Sequence, residues 1–539
     1  MDGPILAIDR KAGTPLGVQL VEGLRRGILG GALRPGDPVP STRALASELG
    51  VSRSAVVTAY EQLAGEGYLE MRQGAATRVA ELGATTSVAA QTRRREAAHD
   101  GEPAVAASGS SGASTPAVPA TPAAPATPAA PASRTAPAAP AAPAAQGSPA
   151  SPASPAAPAS PASPDEPRIN LLPGRPSTSR IDTRAWRSAW RHAAALDIPA
   201  DAPPMFGVPR LRSEIADHLR LARGVSCSPD DIVVTAGTSE AVGLAAFAVA
   251  TIAGRPPVVA VEHPGYPSAR RTLERRGAGT APVEVDADGL VVDALRRMPR
   301  APDAVMVTPS HQYPLGGRLP VATRLELLAW ARAAGALVIE DDYDSEFRHL
   351  GPPLPALASL ASRDDAGRVV LVGSFSKVLT PWLRLGYLVL PPAGANPALR
   401  EAIAGTRADE TCPVPGIAQE AVAALLASGA VRRHIAVSRR EYAHRRRLVL
   451  TALDGLRGAP LSGLDGGLHA VVEMRDAAAS AAVVARLGSE GIGVVPLSDY
   501  SAVPGEERSG IVFGYAAPSD TQLVEGLSRI RAAILDRLR

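Results

Sequence analysis

The sequence predicts an α/β protein in three parts: a winged helix-turn-helix unit over residues 12–80, a long disordered linker over residues 81–166, and a large α/β unit over residues 167–539. Three observations carry that division. Two short helical patterns meet at a glycine turn near residue 50, and a hairpin pattern follows them. Residues 101–167 hold 17 of the 52 prolines, mixed with Ala, Ser and Thr and almost no large apolar side chains, so they cannot bury enough surface to offset the entropy of ordering. Beyond them, short β-branched runs alternate with helical patterns, as crossover units on a mainly parallel sheet require.

Composition excludes several classes. The 56 Lys and Arg nearly balance 53 Asp and Glu, so gross charge does not announce a nucleic-acid partner and any such site must be local. Two cysteines, Cys227 and Cys412, are too few for a disulfide framework. Residues Met1 to Arg10 lack the apolar run of a signal peptide, and the longest apolar stretch, Ala241 to Ala253, is too short to span a bilayer. A cytoplasmic location without a membrane partner is expected.

The first element is a helix over Leu16 to Leu29, with Leu16, Leu20, Leu24 and Ile28 on one face. Gly30-Gly31 ends it, and Arg34-Pro35-Gly36-Asp37 is a turn. Ser41 or Thr42 caps a short helix that turns Leu45 and Leu49 inward. Gly50 allows the sharp turn, and Ser52 caps a second helix with Val56, Ala59, Tyr60 and Leu63 inside. Tyr68 to Met71 and Thr77 to Ala80 flank Arg72-Gln73-Gly74 as a hairpin wing.

The run Pro40-Ser41-Thr42-Arg43-Ala44-Leu45-Ala46, followed by Gly50-Val51-Ser52-Arg53-Ser54 and Leu63 to Tyr68, resembles the GntR-family winged helix. The resemblance implies that this unit binds a double-stranded DNA operator. It implies that Arg43 contacts DNA from the first short helix. Ser52, Arg53 and Ser54 would open the recognition helix, whose first residues face base edges. Gln73 and Gly74 would place the wing in the minor groove. Val57 stands where some relatives carry a further basic residue, so the base readout differs. The bland alternative makes Arg43 and Arg53 solvated surface residues.

The linker is semi-extended, because proline favours polyproline II, and at about 3.1 Å per residue it could reach roughly 200 Å. Arg93 to Arg95 within it read as a solvated charge run. Strands in the large unit are expected at Ile232–Thr235, Val258–Val261, Ala304–Thr308, Leu337–Ile339, Val369–Val372 and Tyr387–Leu390. The chemistry clusters at their ends. In Ser374-Phe375-Ser376-Lys377, a lysine in an apolar, small-residue setting can have a lowered pKa, which suits a Schiff-base lysine. Arg384, seven residues on, offers donors for a phosphate. Gly237, Thr238 and Ser239 follow a strand and open an apolar helix whose free amides suit the same group. Tyr266 follows the next strand and could stack on a flat ring, and Asp341 ends another, where a carboxylate can hold a pyridinium nitrogen protonated.

In this order the motifs resemble fold-type I aminotransferases from about Ile169 onward. Thr308 to Pro314, Glu340 to Phe347, Ser374 to Tyr387 and Arg432 to Arg446 resemble the MocR subgroup of GntR regulators more closely. The resemblance implies pyridoxal 5′-phosphate as cofactor, with Lys377 its attachment point and Asp341 its pyridinium partner. Tyr343 would bond the ring hydroxyl and Tyr266 would stack. Gly237, Thr238, Ser239, Ser374 and Arg384 would hold the phosphate. Alternatively, Tyr266 and Tyr343 are plain core aromatics. Asp342 and Asp344 read as structural or solvated, His311 as either a structural hydrogen-bonding group or a ring contact, and His263 gets no role. No metal site and no catalytic set are expected. A homodimer is implied, with each winged helix beside the other protomer's large unit.

Departures from the aminotransferase pattern bear on function. Tyr313 stands where active enzymes usually carry Asn, Ala202 where a neighbouring-subunit tyrosine is expected, and Val512 where an arginine clamps the substrate carboxylate. Arg508 is nearby but out of register. Three readings follow: a regulator sensing the cofactor or an amine or amino acid bound to it, a working aminotransferase with an accessory DNA-binding unit, and a DNA-binding protein whose large unit is only a dimerisation scaffold. The degraded substrate clamp favours the first.

Overall fold

The computed structural model describes residues 16–29, 33–65, 68–71, 77–80, 167–349, 354–362 and 364–538. Gln73, Gly74 and the linker at 81–166 lie outside these.

The N-terminal unit has helices α1 (Leu16–Leu29), α2 (Thr42–Leu49) and α3 (Arg53–Gly65). Ser41 caps α2: its side chain accepts the Ala44 amide at 3.2 Å. Gly50 closes α2 in the left-handed region at φ 60°, the sharp reversal between the two helices, which a Cβ would strain. Ser52 then accepts the Ala55 amide at 3.2 Å and opens α3. Leu20, Leu24, Ile28, Leu45, Val56, Tyr60 and Leu63 are all buried. The Tyr60 hydroxyl donates to the Pro40 carbonyl at 2.7 Å, which ties the middle of α3 to the start of the motif. Strands β1 (Leu69–Glu70) and β2 (Arg78–Val79) pair antiparallel as the base of the wing.

The large unit is built on a seven-stranded sheet. Its strands are β3 (Ile232–Thr235), β4 (Val258–His263), β5 (Gly279–Glu284), β6 (Ala304–Val307), β7 (Leu337–Asp342), β8 (Val369–Ser374) and β9 (Gly386–Val389), in the order β3-β9-β8-β7-β6-β4-β5. Four neighbouring pairs run parallel; β9 alone is antiparallel, to both β3 and β8. All six expected strands are present. The edge strand β5 was not anticipated, because Pro282 within it argues against a strand. An edge accommodates that proline, since it needs no donor on its outer side.

Both faces are covered, as the near-continuous apolar strands demand. Helix α4 (Thr183–Ala194) precedes the sheet, α5 (Pro209–Arg223) packs Leu211 and Ile215 under β3 and β8, and α6 (Thr238–Ala253) covers the opposite face with Val242 and Ala245. α7 (Val321–Ala334) sets Leu327 and Leu328 against Val305 and Val338. α8 (Gly416–Ala427) leads through a glycine turn at Gly429 into the 23-residue α9 (Ala430–Ala452). Strands β10 (Leu461–Ser462), β11 (His469–Glu473), β12 (Val495–Pro496) and β13 (Gly510–Gly514) form a smaller antiparallel sheet in the order β10-β11-β13-β12, followed by α10 (Asp520–Leu538). Among the described residues no helix is long and apolar enough to cross a membrane.

Replacing Ser41 with Ala removes the only side-chain acceptor for the Ala44 amide. The expected cost is about 1 kcal/mol of N-terminal stability. Native-state hydrogen exchange at the α2 amides of the full chain reads it, and unchanged protection would show that the cap contributes nothing.

Candidate functional site

The carboxyl ends of parallel strands are where open α/β sheets place ligands, and here they surround one cavity of about 240 Å³. β8 ends in Ser374 and passes into a short helical turn, Phe375–Val378, that carries Lys377. β7 ends in Asp341-Asp342, with Tyr343 and Asp344 just beyond. Tyr266 follows β4, Thr308 follows β6, and α6 begins at Thr238. Lys377, Asp341, Tyr343, Tyr266, Thr238, Ser239, Ser374 and Arg384 all line this cavity. Gly237 does not; it stands behind Arg384, whose guanidinium carbon lies 3.8 Å from where a Cβ at 237 would be.

Lys377 Nζ donates to the Gly174 carbonyl at 2.7 Å. Burial lowers its pKa, against the pull of Asp344 and Asp341, which favours the neutral, nucleophilic amine. Gly174 was not foreseen from sequence. It adopts φ +77°, and a Cβ there would sit 2.9 Å from Nζ, so a side chain would displace the lysine. The chain contains only two lysines, Lys11 and Lys377. Lys377 is therefore the large unit's only primary amine on a side chain.

Asp341 faces the same cavity. It is buried, and its Oδ1 has no hydrogen-bond partner. Burial pushes the carboxyl up to about 8; Asp342 adds to the shift and Lys377 opposes it. Its neighbours are compensated. Asp342 accepts two bonds from Arg223, at 2.7 and 3.2 Å, and Asp344 holds His311 Nδ1 at 2.9 Å. Both aspartates are thus bonded within the fold, and Asp344 also lines the cavity. His311 belongs to that scaffold as well. Its Nδ1 and its carbonyl both lie 3.0 Å from the Tyr343 hydroxyl and fix that ring against the cavity. His311, Asp344 and His469 bring donor atoms within 4.8 Å of one another. They are knit into hydrogen bonds: His469 Nε2 meets the Pro314 carbonyl at 2.8 Å.

At the other end of the cavity, Gly237 caps α6 without a side-chain acceptor, at φ 85°. The Ala236 amide is taken by Glu240 at 3.1 Å, while Thr238 and Ser239, in the first turn, line the cavity. Arg384, itself left-handed at φ 48°, donates to the Ala236 carbonyl at 3.0 Å and brings its guanidinium to this helix start. A helix N-terminus beside an arginine is an anion site. The aromatic wall is a chain of edge-on contacts: Tyr313 meets Tyr266 at 5.8 Å and Tyr343 at 5.6 Å between ring centroids. Its hydroxyl lies 3.1 Å from that of Tyr500. Buried Glu262, pushed up to about 7 by desolvation, accepts from the Thr308 amide and hydroxyl and steadies the turn that carries Tyr313.

Sequence reasoning also missed Leu468 and His469 on the far wall; the β11 pattern that carries them was not read as a strand. Burial drives the His469 pKa down to about 3, so that wall is uncharged. Val512 lies in the middle of β13, fully buried, opposite Val471 and Val495 and packed with Leu315, Leu497 and Tyr500. Arg508 is out on the surface, paired with Glu473 at 2.6 Å. Among the described residues, the only cations that line the cavity are Lys377 and Arg384.

In the N-terminal unit, Arg43, Ser52, Arg53 and Ser54 are all exposed. Ser52 and Ser54 share a hydrogen bond at 3.0 Å, and neither arginine has an acidic partner among the described residues. They stand where a duplex could reach them.

Comparison with known proteins agrees with both halves. Residues 16–79 match the bacterial regulatory proteins of the gntR family, and residues 168–530 match aminotransferase class I and II. The HTH-type pyridoxine biosynthesis transcriptional regulator PdxR of Corynebacterium glutamicum is 38% identical over 533 residues, which cover 98% of each chain. The protein named "Probable rhizopine catabolism regulatory protein MocR" of Rhizobium meliloti is 32% identical over 98% of this chain and 96% of its own. The alpha-aminoadipate aminotransferase LysN of Thermus thermophilus, at 24% identity, shares the fold with a TM-score of 0.61 over 69% of this chain and 92% of its own. The protein is thus a helix-turn-helix transcription regulator with an aminotransferase-like domain. It belongs to the MocR/PdxR-type family within the GntR regulators.

The raised Asp341 pKa has a sign that can be tested. A carboxyl whose folded pKa lies above its unfolded value contributes stability at low pH that is lost as pH rises toward about 8. Asp341→Asn removes that loss. The Tm advantage of the variant over the wild type, both free of cofactor, should grow from pH 5 to about pH 8 and then level off. A difference independent of pH would mean that Asp341 is not held protonated.

Proposed function

We propose that the aminotransferase-like domain holds pyridoxal 5′-phosphate on Lys377 and acts as the sensor of the regulator, with the occupied site altering operator binding by the winged helix. The single observation that carries this is the unpartnered, buried Oδ1 of Asp341, in one cavity with the large unit's only lysine. An orphaned buried acceptor is costly, and a protonated ring nitrogen is the partner it fits. The rest of the cavity suits the same group. Arg384 and the start of α6 would take the phosphate, Tyr343 would bond the ring hydroxyl, and Tyr266 would lie against the ring. When bound, the cofactor supplies an aldehyde that condenses with an amine and a ring that withdraws electrons.

The effector follows from what the cavity lacks. With Val512 in an apolar cluster and His469 neutral, no lining cation remains for a carboxylate once Arg384 serves the phosphate. This supports the cofactor itself, or an amine without a carboxylate, as the signal, and it argues against efficient transamination of amino acids. The PdxR relative carries pyridoxine biosynthesis in its name, which agrees with a vitamin B6 signal. Ligand can move the DNA-binding equilibrium only through different affinity for two arrangements of the chain. The active unit is proposed to be a homodimer in the cytoplasm.

Adding pyridoxal 5′-phosphate should produce a visible absorption band that Lys377→Ala abolishes. Borohydride reduction and peptide mapping should find the label on Lys377 and not on Lys11. A label confined to Lys11, or an undiminished band in the variant, would sink the assignment. Steady turnover of an amino donor with a keto acid would favour the enzyme instead. On the DNA side, Arg53→Ala should cost about 1–3 kcal/mol of operator binding if it reads a base edge. Arg43→Ala should weaken all sequences more evenly. Wild-type titrations from both variants at several salt concentrations would refute the mapping.

A further inference from the structure

α9 has 23 residues and one acid, Glu441, whose side chain is 9% exposed and is already engaged by Arg180 and Arg445. The exposed face of the helix is therefore cationic, with Arg432, Arg433, Arg440 and Arg447 toward solvent, while the exposed His444 is met by Asp520 at 3.2 Å. Arg433, Arg440 and Arg447 recur every seven residues, close to two full turns, so they form one line of about 21 Å along the helix. Arg433 donates to the Ser428 carbonyl at 3.0 Å. Arg440 and Arg447 have no hydrogen bond or ion pair from their side chains among the described residues. Some exposed arginines of the large unit find acids: Arg168 pairs with Glu525 at 2.9 Å, Arg297 with Glu284 at 2.6 Å and Arg508 with Glu473 at 2.6 Å; others do not, and α9 sets three of its arginines in one line. The ion pair of Arg180 with Glu441 also ties the approach to α4 to the middle of α9, and α4 exposes Arg184, Arg187 and Arg191 at helical spacing.

We propose that the exposed face of α9 is a second DNA-contacting surface, which holds the phosphate backbone of duplex beside the stretch read by α3. This rests on the DNA-binding reading given above. A line of arginines without acids repels itself and repels a symmetric copy of itself, so a polyanion is the partner it fits. Phosphates recur every 3.4 Å of rise along the duplex axis on each strand, and the outer two arginines stand about 21 Å apart, so the line spans about six base-pair steps of duplex. Guanidinium suits this role, because its fork matches phosphate oxygens in pairs. Such contacts fix position and affinity and carry no sequence information.

The test uses the full-length protein and a fluorescent 60-base-pair duplex of random sequence, titrated between about 50 and 200 mM salt, the range over which phosphate contacts are lost. The triple variant Arg433→Gln, Arg440→Gln, Arg447→Gln should bind about tenfold more weakly at the low-salt end. Its slope of log affinity against log salt should be shallower by about 2 to 3, since each phosphate contact contributes about 0.9. A control of equal charge, Arg168→Gln, Arg297→Gln, Arg508→Gln, should stay within about twofold of wild type, because those side chains are already paired. Retention of the absorption band with pyridoxal 5′-phosphate reports folding. Should the triple variant misfold, Arg440→Gln alone should reduce the slope by about 1. If wild type itself shows no salt-dependent binding, the DNA-binding reading fails. If wild type binds and the stripe variant matches it, or the control weakens binding equally, the stripe is a solvated face and the proposal is overturned.

Discussion

Four carboxyl groups fall within five residues at the end of β7, and the large unit is arranged around their burial. Glu340 is satisfied by the amides of Leu357 and Ala358, Asp342 by Arg223, and Asp344 by His311. Arg223 in turn donates to Ser310 and to the Leu354 carbonyl, so one ion pair joins α5, the turn after β6 and the segment beyond β7. Burial of this many acids is tolerable only when each is paired or protonated. Three are paired. The fourth, Asp341, lines the cavity with its Oδ1 unbonded. Of the four, it alone has a buried carboxylate oxygen without a partner among the described residues.

The main lines of this arrangement were legible in the sequence. Local signals sufficed for α1 to α3, because a serine cap, a glycine turn and a buried tyrosine each act over a few residues. The six predicted strands were readable because buried parallel strands are near-continuous apolar runs. Eight of the nine proposed cofactor residues share the cavity, since strand-end motifs converge wherever parallel strands share a direction. What escaped were features set by tertiary proximity. Gly174 lies 203 residues from Lys377, and nothing near it in sequence announces that contact. The pairing of Arg223 with Asp342 spans 119 residues. β5 was hidden by Pro282, whose permissibility depends on an edge position that no local window contains.

The surroundings of Val512 bear on the reading of the domain as a sensor proposed above. Val512 is not an arginine position left open. It sits opposite Val471 and Val495 in a dry cluster with Leu315 and Tyr500. An unpaired guanidinium placed there would lose its hydration and strain the packing, at a cost of several kcal/mol. An arginine at that position would therefore need its apolar neighbours to change with it.

The scarcity of lysine has a consequence of its own. An aldehyde cofactor reacts with any accessible amine, and an ordinary protein of this size offers dozens on its surface. Here almost all the positive charge is guanidinium: of 56 basic residues two are lysines, leaving 54 arginines. Arginine supplies charge for ion pairs and phosphates but does not compete for the aldehyde. For the cofactor proposed above, side-chain loading would be narrowed to Lys11 and Lys377, and background adducts that would blur a concentration signal would be largely removed. In the language of measurement, the sensor proposed above would be a detector with very little non-specific signal.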